Sequence, residues 1–188
     1  MSVLAFLAVL AASPIGSTTA ETEMLGIDAP DEFEVGYQAR NDSQAIIELV
    51  DPPETVENWS RLITLQIFYN GAQSLGLKTF YSQWRGDMHR SCAGMTDTAE
   101  RGMVDGRAAI RGALYCPNNP QTGKPENLET VLVQGEVNLV MVQAAFRRPI
   151  SSEDAALIDR IVGSLKVCDQ RTLAACSERK ATGFIAVK

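Results

Sequence analysis

Val104-Asp105-Gly106-Arg107 constrains this 188-residue chain more than any other segment. Asp-Gly suits the positive φ angles that a tight type I′ turn demands. The flanking runs, Thr98–Val104 and Arg107–Cys116, therefore read as one antiparallel hairpin. Cross-strand partner numbers then add to 211, as 105 and 106 do. That register sets Cys116 opposite residue 95, with Cys92 three positions further along. A small local adjustment brings the two sulfurs within bridging range.

Other strands surround this hairpin. Phe33, Val35, Tyr37 and Ala39 alternate onto one face, the pattern of a half-buried strand. Arg40-Asn41-Asp42-Ser43 has turn chemistry, and Ala45–Val50 reads as a second strand. Asp51-Pro52-Pro53-Glu54 breaks regular structure. Arg61–Asn70 is a third strand, with Ile63, Leu65, Ile67 and Tyr69 on one face. Residues 72–90 switch to helical spacing, with Leu77, Phe80, Tyr81, Trp84 and Met88 on a stripe. Pro117–Glu126 reads as a polar loop. Strands Glu129–Gln134 and Leu139–Phe146 follow, and Leu139-Val140-Met141-Val142 is apolar on both faces, as in a strand covered on both sides. Ser151 and Asp154 form a capping pair for a last helix whose stripe is Leu157, Ile158, Ile161, Val162 and Leu165. Residues 21–32 read as a polar lead-in and residues 168–188 as a weakly patterned tail. The expected fold is α+β: a largely antiparallel sheet of about seven strands flanked by two main helices, in the order βββαββββα.

The first 20 residues carry no charged side chain. Val3–Ala12 is an apolar run, followed by Pro14, Gly16 and small residues. That order is a secretory signal peptide, with cleavage near Ala20. The positive charge at its start falls to the free amino terminus or to a start further upstream. The run is shorter than the roughly 20 residues a membrane span needs. Residues 21–188 are then a single α+β domain in a periplasmic or secreted protein. Export makes an even cysteine count a disulfide signature. The short spacings favour Cys92–Cys116 and Cys168–Cys176, the second tying down the C-terminal tail.

Several function classes recede. With 23 acidic and 17 basic residues, and a net charge of −6, the chain is a poor partner for nucleic acid. A single histidine leaves little for histidine-based catalysis or zinc, so neither metal nor cofactor is expected. Gly71–Thr79 nearly matches a phosphate-binding loop, but Leu77 stands where the lysine belongs. His89 and Cys92, three apart, suit a thiol–imidazole pair, yet Cys92 is better used in a disulfide. Arg85-Gly86-Asp87 matches an adhesion tripeptide by chance on a packed helix. Asn41-Asp42-Ser43 and Asn58-Trp59-Ser60 match glycosylation acceptors. Arg147 and Arg148 read as a solvated strand end. Asp51, Glu54 and Glu57 gather beside Trp59. A cleft of Glu54, Glu57, Trp59 and Tyr69 is the candidate for a small ligand or for carboxylate acid–base work.

The stretch Glu54-Thr55-Val56-Glu57-Asn58-Trp59-Ser60-Arg61-Leu62-Ile63-Thr64-Leu65-Gln66 resembles a segment of small exported bacterial proteins. The element order over residues 30–167 resembles the PsbP-like fold, which includes periplasmic DcrB-like proteins. The resemblance implies an antiparallel sheet flanked by helices, and a non-enzymatic accessory or binding protein of the cell envelope. It carries over no catalytic residue. The expected function is thus an exported accessory or protein-interaction protein with an envelope partner and no membrane span after cleavage. The second reading is a small-ligand-binding protein or hydrolase using the Glu54–Trp59 cleft.

Overall fold

A computed structural model of the chain describes residues 23–169. The segment 1–20 expected to be a signal peptide, Cys176 and most of the tail lie outside the described residues. The centre is a seven-stranded, wholly antiparallel sheet. Its strands are β2 (Glu34–Arg40), β3 (Gln44–Val50), β4 (Arg61–Phe68), β5 (Thr96–Val104), β6 (Arg107–Asn119), β7 (Lys124–Gln134) and β8 (Leu139–Phe146). They lie side by side in the order β2-β3-β4-β8-β7-β6-β5. Three helices accompany them: the short α1 (Gly71–Ser74), then α2 (Leu77–Ser91) and α3 (Ser152–Ser164).

Alternation along the central strands fills both faces. Ile63, Leu65, Ile67, Val140 and Val142 point to one side, where they meet Leu157 and Ile161 of α3 and Leu165 just after it. Leu132, Leu139 and Met141 point to the other side, under Tyr81, Phe80 and Trp84 of α2. The Leu139–Val142 run is therefore buried on both faces, as its composition requires.

The hairpin register holds along its whole length, from Val104 opposite Arg107 to Thr96 opposite Tyr115. Asp105 (φ 51°) and Gly106 (φ 74°) supply the two positive angles. Ser151 and Asp154 form the reciprocal capping box.

Four expectations need correction. Residues 21–32 are not merely a lead-in: Glu23–Gly26 is a strand, β1, paired with a further strand β9 (Lys166–Asp169). This ribbon packs Leu25, Ile27 and Val167 against the same face as α3. Polar Glu23 hid the strand in the sequence. The loop expected over Pro117–Glu126 shrinks to a turn, because β6 runs to Asn119 and β7 starts at Lys124. The helix expected from residue 72 is broken at Leu75-Gly76, where Gly76 takes φ 73°. Finally, β2 is exposed throughout rather than half-buried. It lies at the sheet edge, and a bulge at Gly36 disrupts its alternation.

Candidate functional site

The most built feature lies between the first turns of α2 and the edge strand β5. A cavity of about 350 Å³ is lined by Lys78, Tyr81, Ser82 and Arg85 of the helix, by residues 97–101 of β5, and by Ile110. Helical spacing turns positions 78, 81, 82 and 85 to one side. Strand alternation turns Asp97, Ala99 and Arg101 toward them and Thr98 and Glu100 the other way.

Asp97 organises the cavity wall. Arg85 donates to both of its oxygens, with Nη2 at 2.8 Å from Oδ1. His89 Nε2 lies 2.7 Å from the same Oδ1. The Arg85 hydrogen bond holds the Asp97 carboxyl below the ordinary aspartate range, with help from His89 and against burial. His89 thus serves a carboxylate, and the thiol–imidazole pairing with Cys92 is not formed.

Tyr81 is 5% exposed, and its buried hydroxyl has no hydrogen-bond partner among the described residues. The ring fits because residue 112 is glycine: a Cβ there would stand 2.1 Å from the Tyr81 oxygen. Thr130, opposite Gly112 on β7, also has an unpartnered buried hydroxyl. Burial raises the Tyr81 phenol above its ordinary value, and Asp97 adds to the effect, so the group stays protonated.

Cys92 and Cys116 are joined by a disulfide, with their Cα atoms 5.9 Å apart. The bridge fastens the end of α2 to β6. It lines a smaller cavity of about 230 Å³ whose walls include Met88, Met95, Leu114 and Leu128. Cys168 is also disulfide-bonded; its expected partner Cys176 lies outside the described residues.

The cleft expected from Glu54, Glu57, Trp59 and Tyr69 does not assemble. Trp59 precedes β4 and Tyr69 follows it, so the intervening extended chain separates them by roughly 30 Å. Trp59 is buried, with the Arg147 guanidinium 3.8 Å from its ring centre. Glu54 accepts a hydrogen bond from the Ser60 amide at 2.8 Å. Glu57 is exposed, and the Thr55 side chain lowers its pKa. These carboxylates brace a loop. Arg148 is likewise committed, making two hydrogen bonds to Asp154. Arg147 and Arg148 therefore belong to packed structure rather than to a solvated strand end. Among the described residues, no group of three or more His, Cys, Asp or Glu side chains is placed to hold a metal ion.

Sequence reasoning passed over Lys78, Tyr81, Asp97 and Arg101. The hairpin register held the signal: together with strand alternation, it puts Asp97 and Arg101 on one face of an edge strand. What it lacked was the position of α2 above that face.

No protein-family model and no curated protein matches the chain. Among solved structures it is similar to the Saccharomyces cerevisiae Ran-binding protein Mog1p, at 12% identity and TM-score 0.48, covering 76% of this chain and 89% of that one. A mutant of Mog1 gives 14% identity and TM-score 0.48, over 76% and 90%. A Pseudomonas aeruginosa protein of unknown function, PA94, gives 13% identity and TM-score 0.40, over 70% and 80%. These likenesses are loose in shape and in sequence, and none bears on function.

Proposed function

We propose that this chain is an exported, disulfide-stabilised, non-enzymatic interaction protein of the bacterial cell envelope, which takes an extended segment of a partner onto the edge of β5. The apolar run Val3–Ala12 and the Cys92–Cys116 bridge support an oxidising, extracytoplasmic setting. The PsbP-like resemblance of the sequence agrees with an accessory role.

The β5 edge carries the reading. In a two-residue hairpin the residues beside the turn, Val104 and Arg107, exchange both backbone hydrogen bonds. Alternation then turns the backbone groups of Asp97, Ala99, Arg101 and Met103 outward, away from β6. The pairing with β6 has no bulge over these residues, and Met103 is 67% exposed. An unblunted edge of this kind is the geometry that strand addition uses. The opposite edge, β2, is blunted by its bulge.

The test is site-specific photo-crosslinking from Met103 in cells, with Tyr37 of β2 as the control position. Ala99→Pro removes an outward N–H while leaving the β6 ladder intact. One envelope adduct from Met103, lost in Ala99→Pro and absent from Tyr37, is expected. Equal labelling from both edges, or adducts indifferent to Ala99→Pro, would refute the edge. Mass measurement of the mature protein under non-reducing conditions tests export: loss of about the first 20 residues and no free thiols are expected.

A further inference from the structure

We propose that the cavity between α2 and β5 is a binding site for a small organic anion, a carboxylate or phosphate monoester on a compact apolar body. The inference does not depend on strand addition at β5, because it uses side chains above the sheet rather than the outward backbone.

Charge is the first argument. The cavity is lined by three cations, Lys78, Arg85 and Arg101, and by two carboxylates, Asp97 and Glu100. Asp97 is already ion-paired with Arg85 and hydrogen-bonded to His89. Glu100 belongs to the opposite face of the strand by alternation. Lys78 and Arg101 make no ion pair with any described residue, so the helix-facing side keeps unspent positive charge. A chain of net charge −6 has thus gathered cations at one concave spot.

Donors are the second argument. Ser82 adds a hydroxyl to the lining beside Lys78 and Arg101. The Tyr81 ring belongs to the same wall, with its own hydroxyl sealed beneath it against Gly112. A hydroxyl and two cations without ion-pair partners on one wall select an oxyanion head.

Size and lining set the rest of the ligand. A volume of about 350 Å³ lies near the lower end of small-molecule sites, roughly 300–1,000 Å³. The Tyr81 ring, Ala99 and Ile110 supply apolar contact for a ring or short chain. A Lys or Arg beside a phosphate or carboxylate forms a charge-assisted hydrogen bond, about twice as strong as a neutral one.

The experiment is an NMR titration of the full folded chain with phenyl phosphate and, separately, with benzoate, at low salt. Saturable shifts at Lys78, Ala99 and Arg101 are expected. Arg101→Gln should weaken binding about tenfold, the scale of one charge-assisted contact. Its side chain has no partner to lose, so folding is preserved. Tyr81→Phe is the control: removing a hydroxyl sealed beneath the cavity should leave affinity unchanged. Binding of one probe alone assigns the head group and upholds the site. Absence of saturable shifts with both probes, or affinity that Arg101→Gln leaves unchanged, would overturn it.

Discussion

Gly112 and Tyr81 form a fitted pair at the floor of the cavity. A Cβ on residue 112 would stand 2.1 Å from the Tyr81 oxygen, 3.1 Å from Cζ and 3.2 Å from Thr130 Cγ2. None of these atoms is the free end of a flexible chain, since Tyr81 is buried under its own helix. Gly112→Ala should therefore destabilise the fold by about 1–3 kcal/mol, the range for overpacking. Adding Tyr81→Phe removes the worst contact, so the double variant should lose less than the sum of the singles. Urea unfolding of the four proteins measures that coupling; strict additivity would show that the contact is relieved elsewhere. Nothing in the sequence marked this pair. Tyr81 read as one member of an apolar stripe, which is true of its ring. Its hydroxyl gains meaning only when α2 is laid across β6. Ser151 and Asp154 lie at the other extreme: both partners sit within four residues of each other, so the capping box was fully legible.

The elements divide along the same line between local and distant determinants. The β5–β6 hairpin follows from two turn residues, and its register predicted the Cys92–Cys116 bridge. That bridge closes a loop with sequence separation 24. Reducing it, or replacing both cysteines by alanine, should cost about 3 kcal/mol on a loop-entropy basis, read as a lower urea midpoint. The β1–β9 ribbon could not be read this way, because its anchor lies over a hundred residues away. The Glu23 carboxylate accepts from the backbone N–H groups of Glu136, Val137 and Asn138, at 2.5, 3.2 and 2.7 Å. Gly135 leaves the room: a Cβ there would meet both Glu23 oxygens at 2.7 Å. Glu23→Ala leaves these buried donors short of an acceptor, a loss of about 2 kcal/mol or more. Hydrogen exchange should show the 136–138 amides losing protection together with β1. If protection at 136–138 persists, the carboxylate is not the latch.

At the scale of the whole molecule, two kinds of carboxyl oppose each other and fix the response to acid. Asp97 and Asp154 have depressed folded values. For Asp97 the cause is chiefly Arg85. For Asp154 burial pushes upward, and hydrogen bonds from Arg148 and Ser151 outweigh it. A depressed acid contributes stability that is complete above its unfolded value, near 3.9 for aspartate, and lost as pH falls through the lower folded value. Glu48 and Glu129 behave oppositely. Burial raises both, with Arg111 partly offsetting the rise at Glu129. Their folded forms take up protons before the unfolded chain does, so acidification from neutral pH first relieves a cost. Urea stability should therefore hold or rise slightly from pH 7 toward about 5, then fall below about 4 as the aspartates protonate. The two limbs can be separated. Glu48→Gln should raise stability at pH 7 and flatten the rise on mild acidification. Asp154→Asn should lower stability at pH 7, because the neutral side chain loses its charge pairing with Arg148, and should flatten the fall below pH 4. An acid limb unchanged in Asp154→Asn would move its origin to Asp97. A parallel Asp97→Asn series would then carry the whole effect, and with it the Arg85–His89 cluster that walls the cavity.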